Sequence, residues 1–323
     1  MAKLVPERIF SLEVHPSDQK LLVLAGDKWG KVGLWDVDVA ADDSPVTTFN
    51  PHTRPVQGLR VAPHAPQKLY SCSHDGSVHC LDLAGGATSS FAEVYLAPED
   101  EDGDRPTLHG ISRTAGEGGA LAVSRGDGAI VFLDSRTPSG TAMGTAALHE
   151  KKCFCADYSP TAPWLLATAS LDRTVALWDV RKFGGAKAPK PLAVLDHGLS
   201  VTAVRFSGSG ARLLTTCNDN LLRVFEGNDA KWMVHTAVTH DNKTGMYLTP
   251  FQAEWVRGSD SAFLCGSMAH PRGVDVFSLE GDADSYRLDE EENVTSVVSL
   301  FAQHPTKPVL VGGNASGKVY VWR

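Results

Sequence analysis

The segment RTVALWDVR (173–181) follows the tight turn SLDRT (170–174), alternates apolar with small or polar residues, and ends on Trp178-Asp179. Alternation with period two is the mark of a half-buried strand. The same short strand after a turn recurs as KVGLWDV (31–37), GSVHCLDL (76–83), GAIVFLDSR (128–136), NLLRVFEG (220–227), RGVDVFSL (272–279) and GKVYVWR (317–323). The endpoints Trp35, Leu81, Leu133, Trp178, Phe225, Phe277 and Trp322 are separated by steps of 46, 52, 45, 47, 52 and 45 residues. Ahead of most lies a second strand, such as KLLVLAG (20–26), PWLLATAS (163–170) or KPVLVGG (307–313). Before that comes a third, such as RIFSLEVHP (8–16), KCFCADYSP (152–160) or VTAVRFSGSG (201–210). A period in the forties with four strands per unit predicts an all-β, seven-bladed β-propeller spanning residues 1–323 as one domain. The last unit stops after its third strand, so residues 1–5 are expected to supply its fourth and close the ring, removing a free sheet edge. That closing strand is short, which leaves open whether natural sequence precedes Met1.

The turn between second and third strands also repeats: SHDGS (73–77), RGDGA (125–129), SLDRT, CNDNL (217–221) and GNASG (313–317). Asp and Asn bond their own backbone in such turns. Asp75, Asp127, Asp172, Asp219 and Asn314 therefore read as structural, and His52, His149, His197 and His240, each ahead of a first strand, read as buried hydrogen-bonding groups. Cys153 and Cys155 are two apart, which on a regular strand puts both on one face. The six cysteines, scattered without framework or zinc spacing, read as small buried residues of a reduced intracellular protein. The first ten residues carry Lys3, Glu7 and Arg8 and do not read as a secretion signal. No apolar run approaches a membrane span, and no membrane partner is expected. Net charge is −8, so any attraction for nucleic acid has to come from a local patch.

The LWD and LWDVR endings resemble the WD-repeat family over the whole chain. HDNKTGMYLTPFQAEW (240–255), LCGSMAHPRGVDVF (264–277), HPTKPVLVGGNASGKVYVW (304–322), VPERIFSLEVHP (5–16) and LAGDKWGKVGLWD (24–36) are similar to a narrower branch. That branch holds WD repeat-containing protein 76 and the fungal changed-mutation-rate proteins, and is related to damaged-DNA-binding protein 2. The resemblance implies a nuclear protein of the DNA-damage response that binds DNA, whether plain duplex, damaged or modified. It also raises chromatin proteins as partners, and docking to the cullin-4 ubiquitin ligase through the adaptor damaged-DNA-binding protein 1. A monomer is the expected state.

In a propeller the loops that enter the first strand and those joining second to third share one rim, here called the top. Sequence places Arg8, Lys28, Lys31, Arg54, Arg125, Lys151, Lys152, Arg173, Lys243 and Arg272 there, whereas Asp38, Asp42, Asp43 and the run from Glu99 to Asp104 fall to the bottom or side. The resemblance matches Arg8, Lys28 and Lys152 to positions with which the damage-binding relative contacts phosphate. It aligns that relative's minor-groove wedge with Gly245, Met246 and Tyr247. The wedge's aromatic position is Gly245 here, a departure, so Tyr247 and Trp29 are the candidates for stacking on a base. The DNA-binding candidates are Arg8, Lys28, Trp29, Arg54, Lys151, Lys152, Lys243, Met246 and Tyr247. On the bottom, Trp178, Asp179 and Arg181 match the ending of adaptor-binding ligase receptors, with Arg181 offering the partner a guanidinium; Arg136 in LDSR is a second candidate. No nucleophile elbow, phosphate loop or metal-ligand cluster is present, and GEGG (116–119) reads as a turn, so neither catalysis nor a cofactor or metal is expected. The acidic runs 99–104 and 289–292 read as solvated loops. The alternative is a protein-only scaffold for chromatin or ligase partners with no direct DNA binding.

Overall fold

The computed structural model describes the chain except residues 41–44, 63, 89, 115–118, 137–141, 185–187, 229–230, 281–284 and 291, and except the side chains of 86–88. Asp42, Asp43, residues 116–118 of the GEGG stretch and Glu291 lie outside the described residues.

Among the described residues, 28 strands form seven four-stranded antiparallel sheets, the blades of a propeller. Blade 4 runs from the channel outward as β14 (Cys153–Tyr158), β15 (Leu165–Ser170), β16 (Thr174–Asp179) and β17 (Ala193–Asp196). Every residue of β15 is buried, because both its faces pack against neighbouring blades, whereas β17 alternates with solvent. Between blades 4 and 5 the apolar fill is Leu165, Leu177, Val204, Phe206 and Phe225. Each such side chain, removed from water, contributes roughly 1.5–3 kcal/mol. The ring closes as expected: β1 (Ala2–Lys3) pairs with β28 (Lys318–Trp322), Ala2 opposite Val319.

One expectation fails. Cys153 and Cys155 do not share a face: Cys153 packs with Ala122 and Ile130 toward blade 3, Cys155 with Val204 toward blade 5. The register shifts between them, with Cys153 opposite Ser170 and Cys155 opposite Ala169. The same irregularity falls at Ile9/Ser11, Val56/Gly58, Leu108/Gly110, Val201/Ala203 and Val298/Leu300, in the first strand of every blade but the sixth. A bulge inserts one residue, swaps the faces on either side of it and turns the strand end. The inserted residues Phe10, Gln57, His109 and Phe154 line the upper end of the central channel.

A candidate nucleic-acid interface on the top rim

The loops of this rim are held by a repeated polar network. In blade 4, His149 Nδ1 lies 2.8 Å from Asp172 Oδ2, and His149 Nε2 lies 2.7 Å from Thr168 Oγ1. The indole N–H of Trp178 donates to the same hydroxyl at 2.8 Å. Blade 2 repeats the arrangement with His52, Asp75 and Ser71, and in blade 5 His197 meets Thr215 at 3.0 Å. The expected structural roles of these turn carboxylates and histidines are therefore visible as geometry. Burial holds the His149 and His197 pKa values below the usual imidazole range, and hydrogen bonds from Ser77, His52 and the Thr53 amide outweigh burial to hold Asp75 below the usual carboxylate range. The network reaches the rim directly: Ser170 Oγ donates to the carbonyls of Lys151 (3.2 Å) and Lys152 (2.9 Å).

The nine DNA-binding candidates fall into two groups. In the first, the Arg8 guanidinium donates to the carbonyl of Met246 at 2.8 Å, and Lys28 N–H donates to Arg8 O at 3.0 Å. Three loops, entering blades 1 and 6 and turning within blade 1, thus meet at Arg8. Asp27 shapes the middle one by accepting from the amides of Trp29 (2.8 Å) and Lys31 (2.9 Å). Gly30 completes that turn at φ 87°, where an added Cβ would sit 2.1 Å from His52 O. Trp29, Met246 and Tyr247 project from this group with 57%, 76% and 81% of their surface exposed, and Lys243 is exposed on the same loop as Met246. Gly245 adopts φ 64° with open space around its missing Cβ.

The second group comprises Arg54, Lys151 and Lys152, and Arg54 and Lys152 bring positive charge to two histidines that sequence reasoning did not single out. His74 Nε2 and His109 Nδ1 are 3.2 Å apart. Burial, reinforced by Lys152 and Arg54, pushes the His74 pKa down to about 4; burial, then His74 and Lys152, pushes His109 down to about 2. His74 stands in the SHDGS turn, one residue before the repeating Asp, and that placement was the available signal. Three of the cations sit over rings of their own loop or strand: Arg8 over Phe10 (4.6 Å), Lys28 over Trp29 (4.8 Å) and Lys152 over Phe154 (5.3 Å). Two of those rings are bulge residues, so the bulge supplies the platform on which a rim cation rests. Arg125 does not add to the patch: its Nε is 3.1 Å from Asp127 Oδ1, which neutralises it.

On the opposite rim, Trp178 and Asp179 are buried, and Arg181 is exposed. The Asp179 carboxylate grips Arg181 through Nε (2.8 Å) and Nη2 (2.9 Å), and the guanidinium lies 4.2 Å over Trp164. Asp134 grips Arg136 the same way, at 2.9 and 2.7 Å, in blade 3. Of the three bottom-face candidates, then, Asp179 orients Arg181 from inside, while Trp178 is buried against His149 and Phe183. The arginine partners hold both carboxylates down to a pKa of about 2.

The sequence reading also missed a polar cluster inside the channel. In the six bulged blades the third residue after the bulge points inward, Glu13, Arg60, Ser112, Asp157, Arg205 and Ala302, and Glu254 of blade 6 completes the turn of seven. Five charges in seven positions at the repeat period were legible in SLEV, GLRV, CADY, AVRF and QAEW, but the alternation was read only for its apolar residues.

The model of the WD domain, G-beta repeat, matches residues 43–82, 141–179 and 189–226. Each match takes in the outer strand of one blade and the inner three of the next. The chain is 35% identical to WD repeat-containing protein 76 of Xenopus laevis, over 100% of this chain and 54% of that protein. It is 34% identical to the Mus musculus protein of the same name, over 99% of this chain and 50% of that protein. Against DNA damage-binding protein CMR1 of Phaeosphaeria nodorum it is 33% identical, over 99% of this chain and 66% of that protein. The chain thus spans about half to two thirds of these relatives. With seven four-stranded blades, repeats that match this model and relatives of this kind along its length, the chain belongs to the WD-repeat β-propeller family.

Proposed function

We propose that this propeller is a DNA-binding module of the DNA-damage response, working in the nucleus, with its top rim on DNA and its bottom rim on a protein partner. The observation that carries this reading is the junction at Arg8, which gathers two cations and three exposed side chains of stacking or wedging type onto one rim. Phosphate contacts need positive charge without strict base geometry, and they dominate affinity. Arg8, Lys28, Lys152, Lys151, Arg54 and Lys243 fill that role. Trp29 and Tyr247, ring faces exposed beside them, stack on an unpaired or flipped base. Met246 is held by its carbonyl while its side chain projects, as a wedge requires. The relatives named for damaged-DNA binding fit this reading. The protein acts by binding and not by catalysis. On the bottom rim, Arg181 and Arg136, held stiff by their carboxylates, form a two-pronged surface for the cullin-4 adaptor.

The test is a salt titration of binding to a labelled duplex, by fluorescence anisotropy, between about 50 and 200 mM salt. With four to six phosphates neutralised, the log–log slope is expected near about −4 to −5. Lys152→Glu should weaken binding and flatten the slope by about one unit or more. Binding that ignores both salt and this change refutes the reading. Absence of binding at low salt, with a nuclease-resistant protein partner on the same rim, establishes the protein-only scaffold instead.

A further inference from the structure

The lower end of the central channel opens into a cavity of about 340 Å³, lined mostly by polar groups, while the channel above the inward ring narrows to about 50 Å³. Arg60, Arg205 and Glu254 line both spaces and so form the waist between them. Access to the lower cavity is therefore from the bottom face, away from the rim assigned to DNA.

The charges in this cavity do not balance. Four arginines line it, Arg60, Arg113, Arg205 and Arg257, against the three carboxyl groups of Glu13, Asp157 and Glu254. Glu13 is shared: it lies 3.3 Å from Arg60 Nη1, 3.5 Å from Arg113 Nη1, and accepts from the Val61 amide at 3.2 Å. Glu254 is 3.5 Å from Arg205 Nε. Asp157 is taken up by the Phe206 amide at 2.9 Å, and burial raises its pKa. Arg257 has no ion pair among the described residues. Its pKa is lowered by partial burial and by the neighbouring charge of Arg113, so the two guanidinium groups face one space and repel. The loops over this mouth are thin. Gly208 and Gly258 meet there, an added Cβ on Gly208 reaching to 3.5 Å of Gly258, and the space over Gly258 is open.

We propose that the lower channel is a binding site for a small phosphate monoester, held between the guanidinium groups of Arg113 and Arg257. Two forked donors facing one cavity match the geometry of a phosphate group. A monoester carrying about two negative charges near neutral pH removes the repulsion between them. The cavity volume suits a molecule of sugar-phosphate size, and the waist stops it from passing upward. The site stands independently of the DNA reading, because none of its residues lies on the top rim.

Isothermal titration of the full chain with glucose 6-phosphate tests this, with inorganic phosphate and with sodium chloride at matched ionic strength as comparisons. Saturable binding of the monoester is expected, weakened about tenfold by Arg257→Gln, which removes one charged hydrogen-bonding partner. Arg257 is exposed and pairs with no carboxylate, so this variant keeps its fold, verified by an unchanged unfolding temperature. Lys152→Glu should leave the titration unchanged. Heats equal to those of chloride overturn the proposal. So does binding that survives Arg257→Gln, or that is lost with Lys152→Glu, which would move the anion to the top rim.

Discussion

Thr168→Val isolates the polar network that holds the rim. The side chains are nearly isosteric, so no cavity forms; only the hydroxyl is lost. The bonding pattern assigns its roles. His149 is neutral because burial lowers its pKa, and its Nδ1 faces the Asp172 carboxylate at 2.8 Å, so Nδ1 carries the proton and Nε2 accepts. The Thr168 hydroxyl therefore donates to Nε2 and accepts from Trp178 Nε1. Valine leaves an indole N–H and an imidazole lone pair without partners, in residues whose side chains are almost wholly buried. Each orphaned group costs about 1–3 kcal/mol, so the loss is about 2–6 kcal/mol. An unfolding entropy of about 2.1 cal/mol/K per residue turns each kcal/mol into about 1.5 °C for a chain of this size, and the expected fall in midpoint is about 3–9 °C by calorimetry. Hydrogen exchange should also rise at Leu171, whose amide bonds to Lys152 O, because the loop carrying Lys151 and Lys152 hangs from the same strand end. A variant with a midpoint within a degree of the parent refutes this account of the hydroxyl.

Acid should destabilise the fold before its surface carboxylates titrate. His74, His109, His149 and His197 all have folded values below the unfolded value of 6.5, so the unfolded chain binds more protons beneath that value. Their stabilising contribution is complete above pH 6.5 and is lost as pH falls toward the folded values, about 4 for His74 and about 2 for His109; Asp75, Asp172 and Asp219, also depressed, extend the loss below the usual carboxylate value of 3.8. Thermal midpoints measured from pH 7.5 downward should decline steadily from about pH 6.5, and a flat profile to pH 5 contradicts the assignment of neutral buried imidazoles. Arg181→Glu places a like charge beside Asp179 on the bottom rim. Under the proposed function, capture of the cullin-4 adaptor should disappear while duplex DNA binding stays within about twofold, and unaltered capture excludes Arg181 from that contact.

The blade number, the closing strand and the turn carboxylates were legible because each follows from local chemistry repeated at steps of 45 to 52 residues. Trp178, Asp172 and His149 stand at spacings that a single repeat displays in full, whereas the hydroxyl of Thr168 between them was not singled out. The bulges were not legible. Cys153-Phe154-Cys155 has the alternation of a regular strand, and only pairing with Ser170 and Ala169 reveals the extra residue. Because the bulge decides which residues face the channel top, Phe10 and Phe154 as platforms for Arg8 and Lys152 could not be read from spacing. Arg8 and Lys28 were readable as rim cations. Their meeting with Met246 was not, since it joins positions 238 residues apart around the closed ring.

Blade 1 shows why that junction sits where it does. The carbonyls of His52, His149 and Val5 occupy equivalent places over Gly30, Gly128 and Gly317, so Val5 holds the position that a histidine fills ahead of blades 2 and 4. Val23 likewise stands four residues before Asp27, where Ser71 and Thr168 stand before Asp75 and Asp172. With both partners apolar, Asp27 keeps Oδ2 buried and unpaired while Oδ1 alone organises the turn of Lys28, Trp29 and Lys31. A buried, half-satisfied carboxylate costs stability that an apolar residue at this site would avoid. What the aspartate contributes in return is the turn itself, with its two amides fixed and its tryptophan turned to solvent. The first-strand entry at which Val5 stands in the histidine's place carries Arg8, and the adjoining turn carries the most exposed ring of blade 1. Under the proposed DNA reading, this local inconsistency with the fold's own repeat, at a rim where cations and aromatic faces gather, is the expected trace of binding favoured over stability.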